Sequence, residues 1–141
     1  MPRAAAIDLG KTRVGVAVAD ELGLLAHPRP YVDGRDPRRA IEALSKLAKE
    51  DGIELFLVGL PKQLDGTEGI SARRARRFAV GLARRAALPV ELIDERLSTR
   101  EARARLREQG VRDREARERI DSAAAAVLLQ SWLDAQRAGT P

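Results

Sequence analysis

Three carboxylates stand where charge is least expected. Asp8 interrupts the apolar run Ala4–Leu9, Asp94-Glu95 follows Val90, Leu92 and Ile93, and Asp121 opens the run Ala123–Leu129. At helical spacing Ala124, Ala125, Leu128 and Trp132 share the face of Asp121. An unpaired charge in apolar surroundings costs several kcal/mol, so each acid needs a partner. Taken singly, a salt bridge or a strand-end turn is enough for any of them. Taken together they have a second solution, because carboxylates gathered at one spot repel unless a cation neutralises them. An all-oxygen set without His or Cys selects one or two hard cations, Mg²⁺ or Mn²⁺. Such ions activate water and stabilise the leaving oxygen in phosphodiester hydrolysis. Asp8, Glu95 and Asp121 are the candidate catalytic groups and metal ligands.

The elements that must position these acids follow from pattern. Ala4–Leu9 and the alternating Arg13–Val18, joined by Gly10-Lys11-Thr12, predict a β-hairpin. A third strand falls within 24–32, where Pro28 and Pro30 confine it to an edge. Asp36 caps a helix with Pro37 at its first position, and Gly52 ends it. The apolar run Ile53–Val58 predicts a buried parallel strand, terminated by Gly59-Leu60-Pro61. A basic helix follows, then a strand over 89–93, a helix opened by the capping box Ser98-Thr99-Arg100-Glu101 and closed at Gly110, and a last helix over 114–136. The order predicts an α/β domain with a mixed five-stranded sheet, an antiparallel three-strand meander followed by two parallel strands, flanked by helices. In that topology the first strand lies beside the parallel ones and the last helix crosses the sheet, which lets the three acids converge.

Length and composition restrict the alternatives. A chain of 141 residues suits one domain, here 1–137 with a short tail at 138–141. The absence of Cys excludes a disulfide framework, a thiolate nucleophile and a thiolate zinc site, and one His excludes a His-rich metal centre. No apolar stretch approaches membrane length and no signal-peptide pattern is present, so a soluble, cytoplasmic protein with no membrane partner is expected.

The net charge of +5 is not spread evenly. Six of the 26 Lys and Arg fall within 71–87, a segment without acids, leaving 20 bases against 21 acids elsewhere. Arg73, Arg74, Arg76, Arg77, Arg84 and Arg85 form the footprint of a polyanion binder or, on the plainer reading, a solvated helix face. Lys11 and Arg13 beside the first turn, Lys62 after Pro61, and Arg96 next to Glu95 are further candidates for phosphate contact. Arg96 serves equally well as the ion-pair partner of a neighbouring acid. Aromatic residues make up 3% of the chain and three of the four sit in apolar contexts, so phosphates and shape, rather than base stacking, are expected to carry recognition.

Ala5–Thr12 fits a loosened P-loop pattern, but the supposed loop is strand sequence and leads into another strand, not a helix. The same segment is similar to the first phosphate loop of actin-like ATPases, whose two related domains exceed this length.

Four blocks span nearly the whole chain: Ile7-Asp8-Leu9-Gly10-Lys11-Thr12-Arg13-Val14-Gly15; Val58-Gly59-Leu60-Pro61 with Asp65-Gly66-Thr67-Glu68; Asp94-Glu95-Arg96-Leu97-Ser98-Thr99; and Ile120-Asp121-Ser122-Ala123-Ala124. In order and content they resemble the YqgF (RuvX) family. The resemblance implies a minimal RNase H-like fold related to Holliday-junction resolvases, and a nuclease that matures the 5′ end of pre-16S ribosomal RNA. Asp8, Glu95 and Asp121 match the acids of that family's active site, which leaves Asp94 the weaker candidate, suited to a backbone or neighbouring contact. Resolvases of this fold place two acids one turn apart on the last helix, whereas the residue three after Asp121 is Ala124.

The expectation is a metal-dependent hydrolase of phosphodiester esters acting on structured RNA. The alternatives are a resolvase of branched DNA, which would need a two-fold dimer to cut symmetrically, and a non-catalytic nucleic-acid-binding factor.

Overall fold

The computed structural model describes residues 2–97, 100–108 and 122–139. Its five strands are β1 (Ala4–Leu9), β2 (Arg13–Ala19), β3 (Ala26–Asp33), β4 (Leu55–Leu60) and β5 (Val90–Asp94), in the spatial order β3-β2-β1-β4-β5. The meander β1-β2-β3 is antiparallel, and β4 and β5 run parallel to β1. Helices α1 (Pro37–Asp51) and α2 (Ile70–Ala86) make the two crossovers, and α3 (Arg100–Glu108) and α4 (Ala123–Ala138) complete the described chain. This is the mixed α/β sheet that the pattern predicts. None of the described helices is long and apolar enough to cross a membrane.

Strand alternation divides the core in two. Ala5, Ile7, Val14, Val16, Phe56 and Val58 pack against α1 and α2. Ala4, Ala6, Ala17, Ala19, Leu55 and Leu57 pack against Ala125, Ala126, Leu129 and Leu133 of α4. Small alanines on the second face let α4 approach the sheet closely. Asp8 continues the Ala4-Ala6 series and therefore lies on the α4 face.

Local signals explain most element ends. Asp36 accepts a hydrogen bond from the Arg38 amide at 3.0 Å, Pro37 opens α1, and Gly52 closes it at φ 68°. The Pro-containing β3 is an edge strand, and its register with β2 slips between Val14 and Val16. Several boundaries differ from the sequence expectation, the start of β4 at Leu55 and the span Val90–Asp94 of β5 among them. β4 runs through Gly59 to Leu60 rather than stopping at Val58, because parallel pairing with Ile93 and Asp94 holds its end. The last described helix begins at Ala123, after the N-cap residue Ser122, and extends to Ala138. The capping-box residues Ser98 and Thr99, the stop at Gly110 and the stretch 114–121 lie outside the described residues.

Candidate active site

Asp8 sits near the end of the central strand with a glycine on either side. Gly15 of β2 is its registered partner. Continuing the parallel register that pairs Ile7 with Val58 brings Gly59 of β4 opposite it on the other side. No neighbouring strand residue crowds the carboxylate from within this row of the sheet.

Glu95 opens a short 3₁₀ turn (Glu95–Leu97) at the end of β5. Alternation decides which of the adjacent acids reaches Asp8. Val90 and Leu92 face α1 and α2, and Ile93 faces α4. Asp94 therefore follows the first set, and Glu95 turns to the face of Asp8. A Cβ at residue 59 would lie 2.7 Å from Glu95 Oε1 and 3.0 Å from Leu128 Cδ1, so the acid rests in space that only a glycine leaves.

The two carboxyl groups meet. Burial, a hydrogen bond with Asp8 and repulsion from Asp8 and Asp94 push the Glu95 pKa up to about 7. Every group acting on Glu95 among the described residues thus favours its neutral form. Two half-buried acids joined by a hydrogen bond form an all-oxygen donor set that fits a hard divalent cation, which would displace the proton held by Glu95. Among the described residues no cluster of three metal-binding side chains forms. The third candidate, Asp121, lies outside the described residues. Its neighbour Ser122 is buried against β2, with Oγ accepting from the Val16 amide at 3.0 Å and donating to the Arg29 carbonyl at 2.5 Å. This hydroxyl takes the place of a ladder contact where the β2–β3 register slips.

Asp94 has a different task. Its carboxylate accepts from the Arg96 backbone amide at 2.9 Å and from Arg96 Nη2 at 2.7 Å, and Lys62 Nζ lies 4.0 Å away. These partners hold its pKa down at about 2, the Arg96 side chain contributing most. Of the two readings open for Arg96, the structure displays the ion pair.

The candidate phosphate contacts divide by position. Lys11 is exposed in the β1–β2 turn, and Arg13 is exposed at the start of β2. Arg74 is partly buried and donates from Nη2 to the Gly10 carbonyl at 2.7 Å, pinning that turn to α2. Arg76 pairs with Glu68 at 2.6 Å. Arg73, Arg77 and Arg84 fall on one exposed stripe of α2, with Arg85 also exposed. The basic helix does not stand directly beside the acids. α2 packs on the sheet face opposite Asp8 and Glu95. Only its first turns reach the same edge, and Arg84 lies ten residues, about 15 Å, further along the helix than Arg74.

Pattern reading missed Gly59, Ser122 and the buried Gln130, whose side chain accepts from the Ala26 amide at 2.9 Å and donates to the Leu24 carbonyl at 3.0 Å. The signal for Gly59 was present, since a glycine inside an apolar strand marks a close approach.

A family model described as RuvX, Holliday junction resolvase, matches residues 2–135. A protein of Anaeromyxobacter sp. (strain Fw109-5) named "Putative pre-16S rRNA nuclease" is 48% identical over 132 residues, covering 94% of this chain and 96% of its own. A protein of the same name from Synechococcus elongatus is 39% identical over 139 residues, covering 97% and 93%. Among solved structures, Thermus thermophilus RuvC in complex with a Holliday junction substrate superposes with a TM-score of 0.65 at 16% identity, covering 99% of this chain and 98% of that one. The fowlpox virus resolvase bound to Holliday junction DNA gives 0.55 at 9% identity, covering 95% and 98%. At these identities the likeness shows the fold, which is RNase H-like.

Proposed function

The chain belongs to the RuvX (YqgF) family, and on that premise we propose that it is a divalent-metal-dependent endonuclease acting on precursor 16S ribosomal RNA near its 5′ end. The observation that carries the reading is the half-buried Asp8–Glu95 pair, in which Glu95 is hydrogen-bonded to Asp8 and its charged form is repelled by it. Asp8 and Glu95 would hold the ion, with Asp121, which lies outside the described residues, as the third ligand of the proposal. Bound there, Mg²⁺ or Mn²⁺ would supply the charge that activates water and stabilises the leaving oxygen.

The chain's own residues do the rest. Gly59 leaves room for Glu95 to reach Asp8. Arg96 and Lys62 keep Asp94 charged and turned away from the pair. Arg74 fixes the turn that carries Lys11. Lys11 and Arg13 contact phosphates beside the cut, and Arg73, Arg77 and Arg84 hold a part of the substrate that passes over the sheet edge onto the far face. Arg74 and Arg96 act on substrate through the backbone and the acid they position.

The names of the relatives favour ribosomal RNA, and the description of the family model favours a second reading, resolution of branched DNA. Cleavage of a pre-16S 5′ leader is compared with cleavage of a four-way DNA junction under Mg²⁺ and Mn²⁺. Preference for the leader by a monomeric protein supports the first reading. Paired symmetric cuts in the junction by a dimer support the second.

A further inference from the structure

Of the four aromatic side chains, Phe56 and Phe78 are buried and Trp132 packs against α4's core, whereas Tyr31 is 44% exposed. Its setting is specific. The Arg13 guanidinium carbon stands 4.9 Å from the ring centroid, and Thr12, Asp33 and Arg35 complete the walls of a shallow depression around the pair. Arg35 is tied to Asp33 at 2.7 Å, which keeps a second guanidinium at the rim.

Register relates this depression to the acids. Arg13 pairs with Asp33 and Val14 with Val32, and the register then slips, Val16 pairing with Arg29, so that Pro30 and Tyr31 together stand against Gly15. Gly15 is also the registered partner of Asp8. Val32 packs with the core under α1 and α2, so Tyr31 alternates to the face of Asp8, across the strand that carries Gly15. Two strand spacings separate Tyr31 from Asp8, about 10 Å. The residue between them is a glycine, so no side chain of the sheet intervenes.

We propose that Tyr31, backed by Arg13, stacks against an unpaired nucleobase of the strand whose phosphodiester lies at Asp8 and Glu95. This rests on the nuclease reading only for the position of the phosphodiester. An exposed ring with a guanidinium on it offers a planar, positively charged surface of the kind on which splayed bases stack. A base inside a duplex has both faces covered by its neighbours and cannot reach the ring. The site thus selects a substrate that is single-stranded beside the cut. Stacking tolerates any base, and it leaves the choice between RNA and DNA to other contacts.

The test measures binding of short labelled RNA and DNA strands, and of their duplexes, to wild type, Tyr31→Phe and Tyr31→Ala, in EDTA so that cleavage does not intervene. Tyr31→Ala is expected to weaken single-strand binding roughly tenfold, with Tyr31→Phe close to wild type. Duplex binding should be unchanged. Abasic residues across the strand should bring wild type down to the Tyr31→Ala level. Equal binding of the single strand by wild type and Tyr31→Ala overturns the proposal, and so does an equal loss for abasic and normal strands. Cleavage is scored separately: protein that does not cut but retains Tyr31-dependent binding contradicts the nuclease reading and supports this one.

Discussion

Glu95 occupies the space above Gly59 that a side chain there would need, its Oε1 lying 2.7 Å from the ideal Cβ position. The same substitution would press on Leu128 of α4 at 3.0 Å. Gly59→Ala should therefore move the acid rather than unfold the domain, at a stability cost of about 1–3 kcal/mol. Displacement of a catalytic carboxylate by even part of an ångström is expected to lower the cleavage rate roughly 100-fold. Thermal unfolding and single-turnover cleavage measured side by side check this. A fully active Gly59→Ala protein would show that Glu95 need not sit there.

The raised pKa of Glu95 has a defined sign. Its folded value is about 7 against an ordinary 4.5, so between those values the folded protein binds more protons than the unfolded chain. Without divalent cations, stability should fall as pH rises through that window, and Glu95→Gln should flatten the slope. Ion binding should run the other way. Below about 7 the ion must displace the proton, so affinity for Mn²⁺ rises with pH and levels off above it. Calorimetry at pH 6 and pH 8 reads both the affinity and the proton released. Equal affinities with no proton release contradict a protonated Glu95 beside Asp8.

The arginines of α2 should separate into two classes. Arg74 donates to the Gly10 carbonyl, so Arg74→Ala is expected to cost about 1–2 kcal/mol of stability. Arg73, Arg77 and Arg84 are exposed. Alanine at each should leave the melting temperature alone while reducing the salt dependence of nucleic-acid binding, by roughly 0.7–0.9 in slope for each phosphate no longer neutralised. Unchanged slopes in the triple variant would leave the stripe as a solvated helix face.

Ser122 bridges β2 and β3 through one hydroxyl. Ser122→Ala leaves the Val16 amide without that acceptor in a buried setting, and a loss of about 1–3 kcal/mol is expected in denaturant unfolding. Cleavage should fall as well, because α4 loses its anchor on the sheet next to Asp121. A variant as stable as wild type would mean that the register slip is satisfied in another way.

Much of this architecture was legible because local chemistry and global fold agree. The Asp36-Pro37 start and Gly52 stop of α1, the prolines on the edge strand and the hairpin around Gly10 each reported their own position. Strand alternation counted from Val90 separates the faces of Asp94 and Glu95, whereas the preference for Glu95 comes from its place in the block Asp94-Glu95-Arg96-Leu97-Ser98-Thr99. Other features depend on partners remote in sequence. The contact from Arg74 to Gly10 joins residues 64 apart, and that from Ser122 to Val16 joins residues 106 apart. No local pattern reports such pairings. The side of the sheet that α2 covers is likewise set by its packing on Phe56 and Val58, which leaves its six arginines mostly behind the acids.

The most direct test of the central claim is phosphodiester cleavage by the purified protein, wild type against Asp8→Asn, with Mg²⁺ or Mn²⁺ and with EDTA. Wild type should cut only with the ion, and Asp8→Asn should bind the same strand without cutting it. Cleavage by Asp8→Asn at the wild-type rate, or by wild type in EDTA, would contradict a metal-dependent site built on Asp8 and Glu95.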